Sequence, residues 1–330
     1  MKNSTVIRIG LLVVAAIVGG YLWYLGNERA GMARLEQTTD FRYEEGARRA
    51  SANRATLEQG KDLITLTGNA RSSDPTGSVR ADVLTLNQKS GDFAAEGSVT
   101  TSREPDSKGK SSSMLSTQAP LQGSANRMTS TNEGKRIHYE GSAKVWQGAN
   151  RVEGERIDLD NQSGRMEAHG KVVTQVYDKK KAKGSSGLTV VRAPDLVYNR
   201  DTRVAHYTGG VALERPGTSV LTVDSRELQA FLSDSDSDSS IEKLVADGAV
   251  KIVSTAAAQG SKSKRIRTAT SEHADYDTAA QVVILTGGRP FFADSLKGNS
   301  SGQKMTWDIK NDIRTVEGEE GRQAQSTLKR

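Results

Sequence analysis

The chain repeats itself in units that place glycine at a fixed point of an alternating pattern. Four segments each begin with a small residue and reach a glycine sixteen positions later: ANRATLEQGKDLITLTG (Ala52–Gly68), ANRMTSTNEGKRIHYEG (Ala125–Gly141), APDLVYNRDTRVAHYTG (Ala193–Gly209) and SEHADYDTAAQVVILTG (Ser271–Gly287). A second glycine follows in each unit. Gly97 and Gly170 come 29 residues after Gly68 and Gly141, and Gly248 comes 39 after Gly209. The excess of ten lies beside SDSDSDSS (Ser233–Ser240), which reads as a loop insertion. The last copy is looser, with Gly318 placed 31 residues after Gly287. Self-similarity of this kind marks a stack of supersecondary units.

Around seven of these glycines, apolar and polar residues alternate with period two, which predicts half-buried strands. The apolar positions are Ile64/Leu66/Gly68/Ala70, Phe93/Ala95/Gly97/Val99, Tyr139/Gly141/Ala143/Val145, Met166/Ala168/Gly170/Val172, Tyr207/Gly209/Val211/Leu213, Leu244/Ala246/Gly248/Val250/Ile252 and Val283/Leu285/Gly287. Each glycine shares the parity of its apolar neighbours, so the pattern places it on the interior face. An interior strand glycine marks a bend, a bulge or open space. Strands of about ten residues are joined by short turns such as Asn161-Gln162-Ser163-Gly164 and Asn87-Gln88-Lys89-Ser90-Gly91, which implies antiparallel neighbours. No sustained helical period follows residue 35 or so. Small residues at successive interior positions leave either a slot or an ordinary sandwich core closed by the facing sheet.

Composition narrows the chemistry. The chain has 330 residues, 35% hydrophobic and only 5% aromatic, so small and branched residues must build its core. With no cysteine, disulfides, thiolate metal sites and cysteine nucleophiles are excluded. The net charge of +6 is spread over the whole length, and the basic runs Lys179–Lys183 and Lys262–Arg267 have no interleaved aromatics, which argues against nucleic acid. These runs read as solvated loops or as attraction for lipid phosphates.

Motifs for catalysis or metal binding fail on context. Gly298-Asn299-Ser300-Ser301-Gly302 matches G-x-S-x-G but falls in a predicted small-polar loop, not between a strand and a helix. Gly109-Lys110-Ser111 lacks the first glycine of a P-loop, with Glu104 in its place. Asp234, Asp236 and Asp238 begin like a calcium loop, yet Ser239 and Val245 replace its glycine and bidentate glutamate. His138 and His206 occupy equivalent repeat positions, and His169 and His273 have no ligand-spaced partner, so surface histidines are predicted. No catalytic residue, metal site or cofactor is expected. Residues Arg103–Glu133, rich in Ser, Lys and Gly, include a predicted mobile loop.

At the N-terminus, Ile9–Leu25 (IGLLVVAAIVGGYLWYL) is uncharged and apolar. As a helix it spans roughly 25 Å, the short end of a membrane crossing. Tyr21, Trp23 and Tyr24 sit at one end, as in an interfacial aromatic belt. A retained anchor is expected over a cleaved signal peptide, although Gly31-Met32-Ala33 is a passable cleavage site.

The units ITLTGNARSSDPTGSVRADVLTLNQKSGDFAAEGSV (Ile64–Val99), IHYEGSAKVWQGANRVEGERIDLDNQSGRMEAHGKV (Ile137–Val172) and AHYTGGVAL (Ala205–Leu213) resemble the OstA-like family of periplasmic lipopolysaccharide-transport proteins, which includes LptA and LptC. The resemblance covers roughly residues 52–318. It implies an all-β fold, an open antiparallel β-jellyroll of folded-over strands, here with one N-terminal transmembrane helix. It implies the slot instead of the closed core, with acyl chains of lipopolysaccharide in an apolar groove. The groove-lining candidates are Ile64, Leu66, Gly68, Phe93, Ala95, Val99, Tyr139, Ala143, Val145, Met166, Ala168, Val172, Tyr207, Val211, Leu213, Leu244, Ala246, Val250, Val283 and Leu285. The implied partners are lipopolysaccharide, an inner-membrane lipopolysaccharide ABC transporter, and other OstA-like proteins joined head to tail by strand pairing. The implied place is the inner membrane, single-pass, with the bulk of the chain in the periplasm, serving Gram-negative outer-membrane biogenesis. The expected divisions are an anchor (1–30), a first jellyroll portion (31–135) and a second portion continuous with it (136–330). A different reading of the same strand edges is a structural β-solenoid scaffold or fibre.

Overall fold

The computed structural model describes residues 34–37, 39–58, 61–105, 119–132, 134–177, 187–217, 219–233, 240–257, 264–318 and 323–328. The apolar segment Ile9–Leu25, the GKS sequence at 109–111, the run Lys179–Lys183, the aspartates of the acidic loop and residues 106–118 of the 103–133 stretch lie outside these residues. Among the described residues no helix is long and apolar enough to cross a membrane. They form strands joined by turns and fall into two compact units. The first holds those up to 105, 119–148 and 153–167; the second holds 149–152 and those from 168 onward.

In the first unit, β1 (Arg34–Gln37), β2 (Phe41–Glu45), β3 (Arg48–Ala52) and β4 (Arg54–Glu58) precede the long strands β5 (Leu63–Asp74), β6 (Gly77–Asn87), β7 (Phe93–Arg103), β8 (Leu121–Thr131) and β9 (Arg136–Gln147). β5 to β9 pair in sequence order, each antiparallel to the next. β3 and β4 both pair with β5, on either side of Asn53, while β2 adds to β3 and β1 to β4. β10 (Asn150–Asp160) and β11 (Arg165–Tyr177) contribute residues to both units.

The second unit continues with β12 (Leu188–Asn199), β13 (Val204–Arg215), β14 (Ser219–Leu232), β15 (Ile241–Ala257) and β16 (Lys264–Asp277), again paired in order. Ser233 N–H donates to Ser240 C=O at 2.8 Å, closing the acidic insertion between β14 and β15 at its base. Beyond β16 the strands divide. β17 (Val282–Thr286) and β18 (Phe291–Asp294) pair with its two halves. β17 leads to β20 (Lys304–Asp308) and β21 (Ile313–Glu317), and β18 leads to β19 (Gly298–Ser301) and β22 (Gln325–Leu328). The G-x-S-x-G segment is therefore mostly the strand β19 and not the predicted loop. Ser300 faces inward, where it accepts a hydrogen bond from Ser326 Oγ at 3.1 Å.

Short Asx turns set several connections. Asn87 Oδ1 accepts the N–H groups of Lys89 and Ser90, and Asp160 Oδ1 those of Gln162 and Ser163. Asn199 and Asp277 do the same for the residues two and three positions on. A side-chain oxygen thus replaces the backbone acceptor that a tight turn lacks.

The glycines define a bend in mid-strand. Gly68-Asn69, Gly97-Ser98, Gly141-Ser142, Gly170-Lys171, Gly209-Gly210, Gly248-Ala249 and Gly287-Gly288 all have positive φ at both residues. Where the strand pairing crosses such a pair, between Thr67 and Ala70 or between Glu96 and Val99, the glycine strand has one residue more than its partner, a β-bulge. The opposing strand places a side chain over the glycine. A Cβ on Gly97 would meet Asp82 Oδ2 at 2.1 Å, and one on Gly209 would meet Pro194 Cγ at 2.8 Å. The expectation that these glycines line the interior is thus corrected: they are half-buried or exposed corner residues, and Gly68 packs on Asn53. They keep the interior parity because the extra residue lengthens the step between buried positions to four, as in Leu66 to Ala70 and Tyr139 to Ala143. On the strands between, the step shrinks to three, as in Ala81 to Leu84 and Ala193 to Leu196.

This geometry separates the two bulge positions. Gly97→Ala is expected to cost about 1–3 kcal/mol, because a Cβ is strained at φ +78° and collides with Asp82. Ser98→Gly is expected to change stability by less than about 0.5 kcal/mol, since relief at φ +48° is offset by a more flexible unfolded chain. Urea unfolding midpoints of the two variants check the contrast.

Candidate functional site

On either side of the bend, one face of each half-strand is buried, and the two halves face each other across an interior. In the first unit the register aligns Leu66, Leu84, Ala95, Met128 and Tyr139 in one row across five strands. Ile64, Leu86, Phe93, Ser130 and Ile137 form the next row. Beyond the bend, Val79, Thr101, Gly123 and Val145 line the opposite half. Tyr139 bridges the two halves: its hydroxyl lies 2.8 Å from Thr101 Oγ1, and its ring occupies the space left by the missing side chain of Gly123. Burial raises the Tyr139 phenol above its ordinary range, with Thr101 opposing.

The second unit repeats the arrangement. Leu196, Tyr207, Leu228, Ala246, Ala274, Leu285 and Met305 form one row, and Tyr198, Ala205, Ala230, Leu244, Tyr276, Val283 and Trp307 a second. Val191, Leu213, Val223, Ile252, Ala269 and Phe292 line the facing half. Contacts again cross the interior. Arg215 Nη1 donates to Tyr276 Oη at 3.2 Å, and Phe292 meets Trp307 edge-on with centroids 5.0 Å apart.

Every groove-lining candidate except Gly68 is buried in these strands: Ile64, Leu66, Phe93, Ala95, Val99, Tyr139, Ala143, Val145 and Met166 in the first unit, and Ala168, Val172, Tyr207, Val211, Leu213, Leu244, Ala246, Val250, Val283 and Leu285 in the second. Sequence reasoning missed their partners on the intervening strands, including Leu84, Met128, Leu196, Leu228 and Ala274. The three-residue step at the bend hides them from a period-two search.

The facing halves meet at Tyr139 and Thr101 in the first unit and at Phe292 and Trp307 in the second. In the first unit a cavity of about 70 Å³ lies between Phe93, Leu121, Met128, Ile137 and Tyr139, with Ser72, Thr76, Ser102 and Arg103 among the residues at its polar margin. That volume holds a few water-sized groups, not a hydrocarbon chain. An extended apolar ligand at that point would have to part the two halves, exchanging one set of apolar contacts for another.

Charged and polar side chains also gather on the outer face and at one end. All four histidines lie beside carboxylates: His138 by Asp158 (2.5 Å), His169 by Asp195 (2.7 Å), His206 by Glu227 (3.0 Å) and His273 by Asp247 (2.6 Å). The hydrogen bond to Asp247 pushes the His273 imidazole above its ordinary value, against burial. Near the C-terminal strands, Arg265 forms ion pairs with Asp294 and Asp312, and Arg267 and Lys297 also reach Asp312 at 3.2 and 2.7 Å. Asp294 is 2% exposed. Burial raises its pKa, but hydrogen bonds from Arg265 and from the N–H groups of Leu296 and Lys297 hold it down at about 2.

Because that pKa is depressed, the stabilisation is complete above the unfolded value of about 4 and is lost as pH falls toward 2. The second unit is expected to weaken over that window. Asp294→Asn should flatten the dependence, as read from denaturant midpoints at pH 5, 4 and 3.

The model of the family described as LptA/(LptD N-terminal domain) LPS transport protein matches residues 27–92, 99–165 and 190–313. The chain belongs to this family. Most of its strands and five of its seven bends fall within the matched segments; the bends at Gly97-Ser98 and Gly170-Lys171 lie between them. Among solved structures, one similar chain is LptH, titled the LptA homologous periplasmic component of the conserved lipopolysaccharide transport device from Pseudomonas aeruginosa. It is 18% identical, with a TM-score of 0.32, over 37% of this chain and 82% of that one. No curated protein matches the chain.

Proposed function

We propose that this protein binds the acyl chains of lipopolysaccharide between its facing half-sheets and passes them across the periplasm toward the outer membrane. The observation that supports this most directly is the pair of buried apolar rows on each unit, within a chain of the lipopolysaccharide-transport family. Exposing a twelve-carbon chain to water costs about 10 kcal/mol at ~0.8 kcal/mol per methylene. A carrier must keep such a chain continuously covered, and rows that run from strand to strand give it successive apolar surfaces. The protein acts as a binding body, with energy supplied by a partner ATPase. In this reading Ile9–Leu25 anchors the chain in the inner membrane, next to the ABC transporter that hands over the lipid. Other members of the family extend the path by pairing end to end.

The test is to purify full-length protein from a Gram-negative host and identify co-purifying lipid by mass spectrometry. Photo-crosslinkers at Leu84 and Leu228 are expected to capture lipopolysaccharide, and one at the outward Thr85 is not. Lipid-free protein whose interior crosslinkers stay silent when lipopolysaccharide is supplied overturns the proposal. Polymers that form regardless of lipopolysaccharide would instead favour the scaffold reading.

A further inference from the structure

Where β16, β18, β20 and β21 come together in the second unit, the interior changes character. The Phe292–Trp307 pair is flanked by two guanidinium groups: Arg267 Cζ lies 5.9 Å from the Trp307 ring centroid, and Arg314 Cζ lies 4.6 Å from that of Phe292. Trp307 and Arg314 are directly opposite each other on β20 and β21. Three buried N–H donors here have no hydrogen-bond acceptor among the described residues: Arg267 Nε, Trp307 Nε1 and Arg314 Nη1. Trp307 is completely buried. Arg267 Nε stands 3.9 Å from Asp294, beyond hydrogen-bond reach, while its Nη2 takes Asp312.

The charges do not balance either. Arg265, Arg267 and Lys297 share two carboxylates, Asp294 and Asp312, and among the described residues Arg314 has no ion pair. Burial pulls the Arg267 guanidinium below its ordinary value, opposed by Asp312 and reinforced by Arg265 and Arg314. Buried donors without acceptors and buried charge without countercharge are both costly. The two costs are relieved together by one kind of partner, a small anion with several acceptor oxygens.

We propose that Arg267, Arg314 and the indole N–H of Trp307 form a binding site for a phosphate-class oxyanion. A cation is repelled by the net positive charge, and an apolar ligand leaves the donors unmet. Phosphate presents oxygens in several directions, matching donors from three different strands, and guanidinium groups recognise it through parallel N–H···O bonds. Lys297, 51% exposed, and Asp312 mark the side open to solvent. The site stands on these residues alone and does not depend on hydrocarbon entering the interior. The phosphate belongs either to a lipid headgroup or to free phosphate.

The chain has three tryptophans, so the full-length protein, labelled with ¹⁵N at the indole nitrogens in a non-ionic detergent, gives three side-chain signals. Loss of one in Trp307→Phe assigns the reporter. The Trp307 signal is expected to move saturably with a phosphate-bearing probe and not with sodium chloride at matched ionic strength. Inorganic phosphate tests the free ion; bisphosphorylated lipid A, against its dephosphorylated form, tests the headgroup. Movement with inorganic phosphate assigns a free-phosphate site, and movement confined to the phosphorylated lipid assigns a headgroup site. Arg314→Gln and Arg267→Gln are each expected to weaken binding roughly tenfold or more. Arg314, on the short strand β21, gives a readout even if Arg267→Gln does not fold. A signal unmoved by either phosphate-bearing probe, moved equally by chloride or by dephosphorylated lipid, or moved with unchanged affinity in a folded variant overturns the proposal. A site that binds inorganic phosphate in protein that never acquires lipopolysaccharide would sink the transport reading and leave this one standing.

Discussion

Truncating Trp307 to alanine is expected to destabilise the second unit by about 3–5 kcal/mol, the usual range for deleting a fully buried tryptophan. The ring is completely buried and meets Phe292 edge-on, while Val283 and Arg314 lie opposite it on the neighbouring strands. Its removal opens a cavity where Phe292 and Trp307 meet across the interior. In a unit of this size each kcal/mol shifts the melting temperature by roughly 2–4 °C, so a fall of about 10 °C follows. The comparison is Trp146→Ala, on the outer face of β9 and only half-buried. Thermal unfolding of both variants decides the point. Equal losses would mean that Trp307 is not a core residue of its unit.

Ala95→Phe is expected to abolish lipid acquisition while leaving a folded protein. Ala95 is wholly buried between Leu84 and Met128 in the row that Tyr139 completes. A ring there overpacks the interior at a cost of about 1–3 kcal/mol, which a unit with this many paired strands can absorb. It also fills the place where hydrocarbon must enter if the halves part. Ala94→Phe, one residue along and on the outer face, puts the same ring where it obstructs nothing. Binding of lipopolysaccharide to each variant, with melting temperatures as the check on folding, is the measurement. Wild-type binding by a folded Ala95→Phe protein would exclude the first unit from the lipid path.

Much of this architecture could be read from residue order. Alternation around Tyr139 or Tyr207 found the buried faces of β9 and β13, because the bulge at the bend adds a residue and keeps the parity intact. The meaning of the glycines was not legible. A residue that shares the interior phase can be there for space or for backbone conformation, and only the positive φ at Gly97 and the Asp82 side chain over it show the second reason. The strands between were hidden for the converse cause: Ala81 and Leu84, or Ala125 and Met128, are both inward although three apart, so a search for period two loses them at the bend. The cluster at Arg267, Trp307 and Arg314 escaped because its members lie on three strands, and only the register places the first beside the others.

The alternating four- and three-residue steps restrict how such a chain can change over evolution. Deleting one residue from a bend, Asn69 for instance, would cut the Leu66-to-Ala70 step to three, the same as Ala81 to Leu84 on the neighbouring strand, and would leave two plain strands side by side without a bulge at their shared bend. A single-residue change at a corner thus breaks the alternation of bulged and plain strands, whereas one in a loop does not. Length is gained or lost safely by duplicating or excising a whole bulged strand together with its plain neighbour, which leaves every remaining residue on its proper side.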